Sequence, residues 1–511
     1  MLTRDNNVLF LEQWHAGAPA LAGASREANP YLTQGGVTDL GSIFNVSDST
    51  FTALLIPEAP FSSGHVIAPD GHPVIFGGSP DLSAQNPQVQ NGLFAVRDYH
   101  YPTKTINTTT TLGSSNPRWK PTAVTMASGE IIVAGGALIP AGGYNATTNQ
   151  PAANSGTFQI YNFASRAISA ASPLPILADT GPVNLYPPLF LLPVSGSLLV
   201  MAGNRSAVYD GAKLLGGTAV ADAAYAAIPQ LKVPFCYPQS AAVVLLPLDP
   251  ANGYKPEVMV IGGSSVDQAT AATPASNTSC RLDLSAAQPQ WLAETMPTPR
   301  INHNVVLLPD GKLLVVNGAQ QGIAGGSIGS GLATSPAFQP AMYDPKAAIG
   351  SRWSAALANS TVARLYQATA LLMLDGSVMV AGGWGSLEYT VQYFSPPYLL
   401  TGTPRPVIEG TLQQVAAYNT TITIRYSRAA GADVKRVVLI RPAASTHSLQ
   451  MDQRMIVLVI EQQAAGEIRC TAPPDSTIAP PGNYMLFLVG EDDVPSVAQY
   501  ITVGFAQTAA V

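Results

Sequence analysis

Short runs of alternating apolar and polar residues recur along most of the chain. Each run is paired with a second across a turn that contains Gly, as in 304–318 (NVVLLPDGKLLVVNG) and 370–383 (ALLMLDGSVMVAGG). Alternation with a period of two predicts half-buried strands, and Asp-Gly supplies the positive φ angles of a hairpin turn. The sequence therefore predicts seven hairpins, about 55 to 70 residues apart, in the segments 2–12, 65–78, 123–136, 189–204, 242–263, 304–318 and 370–383.

Seven hairpins without helical periodicity between them favour a propeller over one long sandwich or a solenoid. One four-stranded blade cannot bury both of its faces, so blades stack in a ring. After the Pro-rich segment 393–410, strands follow one another closely, which is typical of an antiparallel immunoglobulin-like sandwich. We therefore predict an all-β chain, with a seven-bladed kelch-type β-propeller over residues 1–402 and an immunoglobulin-like β-sandwich over residues 403–511.

The composition argues against two classes of partner. Charged residues make up 11% of the chain, the net charge is −6, and Lys and Arg form no cluster. These features argue against nucleic acid and against an anionic membrane surface. The sequence contains no run of about 18 apolar residues, so we expect no membrane span.

Several features favour an extracellular protein. The first residues, MLTRDNNVLFLEQW, alternate like a strand and do not resemble a signal peptide, so Met1 either follows processing or is an internal start of a longer chain. Three cysteines, Cys236, Cys280 and Cys470, leave at least one thiol without a partner in this chain, and a Cys236–Cys280 disulfide stays open. Seven Asn-x-Ser/Thr sequons favour secretion and glycosylation, at Asn45, Asn107, Asn145, Asn204, Asn277, Asn359 and Asn419.

The residues just before each predicted inner strand are candidates for a functional site. In a propeller the inner strands surround the central axis, so these residues form a ring at one mouth of the channel. Two interpretations stay open, namely a site that binds or reacts, and hydrogen-bonded caps that close the channel. The ring is rich in polar and aromatic side chains: Ser62, Ser63, Lys120, Tyr186, Tyr237, Asn302, His303, Tyr366 and Gln367.

Several longer phrases carry a family resemblance, among them VARLYQATALLMLDG, EYTVQYFSPPYL and RPAASTHSLQMDQR. Over nearly its whole length the chain resembles the glyoxal oxidase and galactose oxidase family of copper radical oxidases, and the glyoxal oxidase branch above all. The resemblance implies a propeller followed by an immunoglobulin-like domain, whose loop carries a copper-ligating histidine to the axis. That histidine corresponds to His447 in the phrase THSLQMDQR.

The resemblance also implies five groups around copper: two histidines, an axial tyrosine, and a second tyrosine fused to a cysteine that together store a radical. Tyr366 matches the axial tyrosine and His447 matches one histidine. The other three positions depart from the family, with Gln367 for the second histidine, Lys120 for the fused tyrosine and Ser62 for the cysteine. An amide oxygen is a poor Cu(II) ligand beside imidazole, and serine cannot form a thioether. We expect Lys120 to be a cation that repels copper.

From these departures we predict a secreted relative that has lost copper-radical catalysis, takes no cofactor and keeps Tyr366 and His447 as a vestigial metal pair. We expect a structural, adhesive or carbohydrate-binding component at the cell surface, with extracellular glycans or matrix proteins as partners. Donors, acceptors and ring faces together suit hydroxyl-bearing ligands. The predicted pocket consists of Lys120, Tyr186, Tyr237, His303, Tyr366, Gln367 and His447.

Three alternatives accompany this prediction. The first is an active copper-dependent oxidase of aldehydes or primary alcohols that produces hydrogen peroxide with an altered cofactor. The second is a weak three-ligand metal site, in which His303 joins Tyr366 and His447. The third is an intracellular kelch-type adaptor, which the low charge and the sequons disfavour.

Overall fold

The protein is described here from a computed structural model in which strands predominate. The structure describes residues 1–11, 40–80, 89–138, 144–145, 150–151, 154–223, 228–327, 330–355, 357–383, 388, 390–428, 433–464 and 466–504. The helical elements of this part of the chain are short: α1 (Pro175–Asp179), α2 (Gly211–Leu215) and the single 3-10 turns Pro250–Asn252 and Pro397–Leu399.

The first four sheets follow one another along the chain as antiparallel units. Sheet one contains β1 (Asn7–Leu11), β2 (Gly41–Asn45) and β3 (Thr50–Leu54). Sheet two contains β4 (Gly64–Ile67), β5 (Pro73–Phe76), β6 (Ala95–His100) and β7 (Thr105–Thr111). Sheet three contains β8 (Trp119–Thr125), β9 (Ile131–Ala137), β12 (Thr157–Asn162), β13 (Ala167–Ile168) and β14 (Ser172–Pro173), with the small hairpin β10 (Tyr144–Asn145) and β11 (Gln150–Pro151) inserted. Sheet four contains β15 (Leu189–Leu191), β16 (Leu198–Ala202) and β17 (Arg205–Tyr209).

Three further sheets complete the ring. Sheet five contains β18 (Ala242–Leu245), β19 (Glu257–Ile261), β20 (Thr278–Asp283) and β21 (Trp291–Thr295). Sheet six contains β22 (Asn304–Leu307), β23 (Leu313–Val316), β26 (Ala341–Tyr343) and β27 (Trp353–Ser354), with the inserted hairpin β24 (Ala319–Ser327) and β25 (Ser330–Pro336). Sheet seven contains β28 (Thr369–Leu372), β29 (Val378–Ala381) and β30 (Val391–Phe394). These sheets are the seven blades of a propeller, which confirms the predicted fold class.

The predicted hairpin turns form for the expected reason. In the turn of blade seven, Gly376 has a φ of 83° and the Asp375 carboxylate accepts a hydrogen bond from the Ser377 amide at 2.9 Å. In blade six the Asp310 carboxylate accepts from the Lys312 amide at 3.1 Å in the same way. The aspartate holds the chain in the turn, and the glycine adopts the left-handed conformation at no steric cost.

The C-terminal strands form a β-sandwich behind the propeller, as predicted. Its strands are β31 (Val407–Ile408), β32 (Val415–Ala416), β33 (Thr421–Ser427), β34 (Val434–Arg441), β37 (Arg454–Ala464), β38 (Glu467–Thr471), β39 (Gly482–Gly490) and β40 (Gln499–Val503). The main sheet has the order β31-β33-β38-β37-β34-β39-β40-β32. The boundary at residues 402 and 403 stays a prediction, since the chain crosses between the two units from Phe394 to Val407.

A hairpin between β34 and β37 extends from the sandwich into the propeller. It consists of β35 (Ala444–Thr446) and β36 (Leu449–Met451), and residues 450–454, from β36 to the start of β37, bond to inner strands of several blades. Because each partner lies in a different blade, these contacts fix the hairpin relative to the whole ring. The contacts are His65 N to Met451 Sδ (3.4 Å), Thr125 Oγ1 to Asp452 (2.7 Å), Leu307 N to Gln453 Oε1 (3.2 Å), Gln450 Nε2 to Ala370 O (2.9 Å), and Arg454 to Leu191 O.

Candidate axial site

One backbone feature marks the head of each inner strand in six blades. In five of these blades a residue with a positive φ lies just before the strand, and in blade three it is the second residue of β8; none of these residues is a glycine. Such a conformation costs about 1–3 kcal/mol per residue and persists where surrounding structure enforces it. The residues are Ser62 (64°), Lys120 (60°), Tyr186 (51°), Ser240 (35°), Asn302 (59°) and Gln367 (58°). Five of these six residues belong to the predicted ring, and in blade five the residue is Ser240 rather than the predicted Tyr237.

Two of these positions, Lys120 and Asn302, each follow a buried arginine that bonds to two blades. The Arg118 guanidinium donates to the carbonyl of Gly135 at 2.7 Å, within its own blade. In turn the carbonyl of Arg118 accepts from the amide of Gly78, in the neighbouring blade, at 3.1 Å. A Cβ at the preceding residue, Gly77, would lie 2.2 Å from the Arg118 carbonyl oxygen, so the close approach requires glycine. Arg300 repeats both bonds, with Asn317 and Gly263 as partners.

Lys120 is at the centre of the axial site. Its Nζ lies 3.0 Å from Ser62 Oγ and 3.0 Å from His447 Nε2, and only 1% of the residue is exposed. The ammonium position also faces aromatic rings, which form a cage around it. Distances from Nζ to the ring centroids are 4.3 Å for Trp119, 4.4 Å for Tyr237, 5.5 Å for Tyr186 and 5.6 Å for Phe61.

Burial lowers the pKa of Lys120 well below its ordinary value, and no carboxylate of the described residues counteracts that shift. The surrounding ring faces favour the cation and offset part of the effect. The expectation of a lysine cation that repels copper therefore needs revision. Burial without an anionic partner favours the neutral amine, whose nitrogen has a lone pair.

His447 lies at the tip of the hairpin β35–β36, with a positive φ of 46°. Its Nδ1 lies 2.7 Å from Thr446 Oγ1, and its Nε2 lies against Lys120. Burial lowers the pKa of His447 well below its ordinary value, and Lys120 and then His65 lower it further. The imidazole is therefore neutral, and an Nε2 that accepts from Lys120 requires the proton to be on Nδ1.

Three tyrosines complete the site around His447. The ring centroids of Tyr186, Tyr366 and Tyr237 lie 4.9, 5.4 and 6.2 Å from that of His447. The structure thus brings together six predicted residues, of which His447 came from the family resemblance and the other five from the ring: Ser62, Lys120, Tyr186, Tyr237, Tyr366 and His447. All six are buried, so these side chains do not form an open mouth.

Two predicted members of the pocket, His303 and Gln367, are not among the contacts of Lys120 and His447 described above. His303 packs with its Cε1 2.9 Å from the Cβ position of Gly262, and both of its ring nitrogens have no hydrogen-bond partner among the described residues. Burial lowers the pKa of His303 to about 3, with a smaller contribution from Arg300. Gln367 is half-buried at the positive-φ position of blade seven.

Sequence reasoning missed two neighbours of Lys120, namely Phe61 and Trp119. Both residues are adjacent in sequence to a predicted site residue, in FSSGH and RWKP, and both rings face Lys120. An aromatic residue beside a positive-φ residue was the available signal, since neighbouring side chains on that tight backbone both reach the axis.

The sequons and cysteines have varied environments. Glycosylation stays a prediction, and the side chain of Asn145 lies outside the described residues. Asn45 and Asn204 are half-buried and engage their side chains in hydrogen bonds. All three cysteines are free thiols, so the Cys236–Cys280 pair does not form here. The exposed sequons are Asn107, Asn277, Asn359 and Asn419. No helix of the described residues is both long and apolar enough to cross a membrane.

The chain is a seven-bladed β-propeller with a C-terminal β-sandwich, whose hairpin carries a histidine into the propeller. Comparisons with known proteins give its family. The model of the glyoxal oxidase N-terminus matches residues 2–399, and that of the galactose oxidase-like early set domain matches residues 405–503. The chain belongs to the glyoxal oxidase family, within the copper radical oxidases.

Named relatives agree with this assignment. The chain is similar to the aldehyde oxidase GLOX1 of Arabidopsis thaliana, with 33% identity over 63% of this chain and 55% of the relative. It is also similar to the aldehyde oxidase GLOX of Vitis pseudoreticulata, with 31% identity over 75% of this chain and 71% of the relative. The chain thus spans little more than half the length of the Arabidopsis protein. A fungal alcohol oxidase solved in complex with copper shares the fold, with a TM-score of 0.71, 21% identity, and coverage of 99% of this chain and 96% of the other.

The expectation that the protein takes no cofactor is wrong in the light of these comparisons. The chain belongs to a family of copper oxidases, so copper is the cofactor to which the comparisons point. The axial residues fit such an ion in their donor chemistry. His447 offers a neutral imidazole nitrogen, Tyr366 offers a phenol oxygen, and mixed nitrogen and oxygen donors suit Cu(II).

Proposed function

We propose that this chain is a copper protein of the glyoxal oxidase family that does not carry out the family's radical oxidation. It acts outside the cell as a structural, adhesive or carbohydrate-binding component. One observation carries the proposal: Lys120 Nζ and Ser62 Oγ are in contact at 3.0 Å, at the two positions where the family resemblance implies a fused tyrosine and cysteine.

The chemistry of this contact differs from that of the fused pair in both halves. A tyrosine–cysteine crosslink joins a ring carbon to sulfur, and the enlarged aromatic system gives up an electron. Serine has oxygen in place of sulfur, and the lysine side chain is saturated, so neither the thioether nor a stable ring radical forms between them. The contact between Lys120 and Ser62 is therefore a hydrogen bond and not a covalent link.

Copper would be held by His447 and Tyr366, and when bound it supplies a Lewis acid and a one-electron redox centre. Thr446 orients the imidazole of His447 through Nδ1 at 2.7 Å. The neighbouring Tyr186, whose ring faces that imidazole, is anchored by its hydroxyl, which donates to the Ser63 carbonyl at 3.1 Å. The crosslinked tyrosine that stores the second electron in the family has no counterpart in the pair Ser62 and Lys120.

The extracellular role is supported by surface properties. Charged residues are few, at 11%, and the sequons at Asn107, Asn277, Asn359 and Asn419 are exposed. A surface built from hydroxyl, amide and backbone groups suits contacts with extracellular glycans or with matrix proteins. N-linked glycan at Asn107 in protein purified from its natural source would support secretion, and an unmodified, cytosolic protein would contradict it.

The central experiment measures peroxide from the copper-loaded protein with methylglyoxal and with a primary alcohol. We expect no substrate-dependent peroxide, whereas a glyoxal oxidase assayed in parallel produces it. Substrate-dependent turnover would instead support an active oxidase and overturn the proposal.

A matched variant makes the experiment sharper. In Ser62→Cys/Lys120→Tyr the two missing partners return to positions that are already in contact. We expect the copper-loaded double variant, exposed to dioxygen, to lose the two hydrogens that thioether formation removes, as measured by intact-protein mass. Each single variant lacks one partner and serves as the control, because neither can form the bond. An unchanged mass in the double variant would mean that these positions do not correspond to the fused pair.

A further inference from the structure

The amine of Lys120 is the buried nucleophilic group that the family comparison leaves without a role. We propose that Lys120 is a metal ligand, and that its Nζ binds one copper ion together with Nε2 of His447. The inference deepens the proposed function, because it rests on copper as the cofactor. It does not depend on whether the loaded protein oxidises aldehydes.

The geometry supports two nitrogen ligands on one ion. Lys120 Nζ and His447 Nε2 lie 3.0 Å apart. For metal–nitrogen bonds of about 2.0–2.1 Å at a right angle, neighbouring ligand atoms are separated by about 2.9 Å. The two nitrogens are therefore already spaced like adjacent ligands in a square or tetragonal Cu(II) site.

The partners of Lys120 also favour a ligand. Lys120 is 1% exposed, and its Nζ contacts a hydroxyl oxygen and an imidazole nitrogen rather than a carboxylate. An ordinary structural lysine at this depth would pair with a carboxylate, as Arg441 does with Asp452 in the same protein.

Neighbouring groups orient both nitrogens. Ser62 Oγ lies 3.0 Å from Nζ, which aligns the amine, and Thr446 Oγ1 binds the far nitrogen of the imidazole. Outer partners of this kind fix the tautomer and direction of metal-binding histidines. The ring of Tyr366 stands edge-on to His447 at 5.4 Å and would add an oxygen ligand. Lys120 thus supplies the second nitrogen that Gln367 no longer offers.

The test compares copper binding by the full chain and by Lys120→Met, which fills similar volume without an amine. We expect Cu(II) affinity, measured by calorimetric titration, to fall at least about tenfold in Lys120→Met. We also expect electron paramagnetic resonance to show coupling to two nitrogens in the wild-type protein and to one in the variant. Lys213→Met is the control, because Lys213 is an exposed lysine on α2, and it should bind copper like the wild type.

Several results would overturn the inference. They are equal affinity and equal nitrogen coupling in Lys120→Met, or wild-type protein that binds no copper at the axis. If Lys120→Met does not fold, Lys120→Arg replaces it, since a guanidinium fills the cage but does not ligate. Substrate-dependent peroxide from the loaded wild type would refute the proposed function and leave the ligand assignment standing, so the two failures are distinguishable.

Discussion

Two bases are buried in different surroundings at the two ends of the hairpin β35–β36. At its base, Arg441 of β34 is 1% exposed and bonds to the Asp452 carboxylate through Nε at 2.8 Å. Burial lowers the pKa of Arg441, but Asp452 and Tyr484 together raise it by more, so the net shift is upward. At the tip, Lys120 is buried to the same degree beside His447, without a carboxylate, and its pKa falls.

The difference separates a structural cation from a reactive amine. A buried charge with a carboxylate partner and several carbonyl acceptors connects the sandwich to the propeller, since Arg441 also donates to the Ile67 carbonyl at 2.9 Å. A buried base without such a partner avoids the cost of charge by staying neutral. Its lone pair is then free to bind a proton or a metal.

The largest expected effect follows from removal of the carboxylate. Asp452→Asn keeps the shape but leaves Arg441 as an uncompensated buried charge, which should cost about 3–5 kcal/mol in the free energy of unfolding. Urea denaturation monitored by tryptophan fluorescence measures it. A loss below about 1 kcal/mol would mean that Arg441 is satisfied by carbonyls alone and that the comparison with Lys120 does not hold.

His303 extends the comparison to a third buried base, and it predicts a pH dependence. The pKa of His303 is lowered to about 3 in the folded protein, whereas an unfolded histidine titrates near about 6.5. Between these values the unfolded state binds the extra proton, so stability rises with pH and is lost as pH falls below about 6.5. The slope from this residue approaches about 1.4 kcal/mol per pH unit.

The measurement is unfolding free energy from pH 4 to 6.5 in the wild-type protein and in His303→Gln. In the variant, the slope of the unfolding free energy against pH should be smaller by the amount that corresponds to the uptake of about one proton. Parallel curves would show that His303 is already protonated in the fold or reaches solvent. His100, a half-buried histidine in blade two, provides the control variant His100→Gln.

The fold was within reach of sequence reasoning because its signals are local. Alternation, Asp-Gly turns and glycine at strand ends lie within a few residues of each other, and Gly376 and Gly77 act in the structure as their patterns predicted. Even the ring of strand heads could be read from the repeat. Arg118 and Arg300, which hold two of these heads, were missed, because a lone Arg before a predicted strand looks like an ordinary surface residue.

The site was only half predictable, for a physical reason. Which residues surround the axis follows from the repeat, but the state of Lys120 depends on burial and on the absence of a nearby carboxylate. The contact between Lys120 and His447 joins residues that lie 327 positions apart. Chemistry that arises from such a contact cannot be read from either segment alone, and so the lysine was expected to be a cation.

A smaller effect is expected at Lys120 itself in metal-free protein. In Lys120→Met the thioether side chain should fill the aromatic cage, while His447 Nε2 loses its donor, so unfolding should become easier by about 1 kcal/mol. The same urea denaturation measures it, beside Asp452→Asn. A cost equal to that of Asp452→Asn would indicate a lysine cation that stabilises the fold, and would remove the distinction between the two regions.

The smallest effect belongs to an ion pair on the surface, which serves as a reference for the effects of Asp452→Asn and Lys120→Met. Lys346 Nζ lies 2.8 Å from the Asp249 carboxylate, but 60% of its side chain is exposed. Water and salt screen such a pair, so Lys346→Met should change the free energy of unfolding by about 0.5 kcal/mol or less. Added sodium chloride should erase the remaining difference, whereas it should leave most of the Asp452→Asn deficit in place. If salt reduced both deficits alike, solvent would reach Arg441, and the loss in Asp452→Asn could not be ascribed to a buried, uncompensated charge.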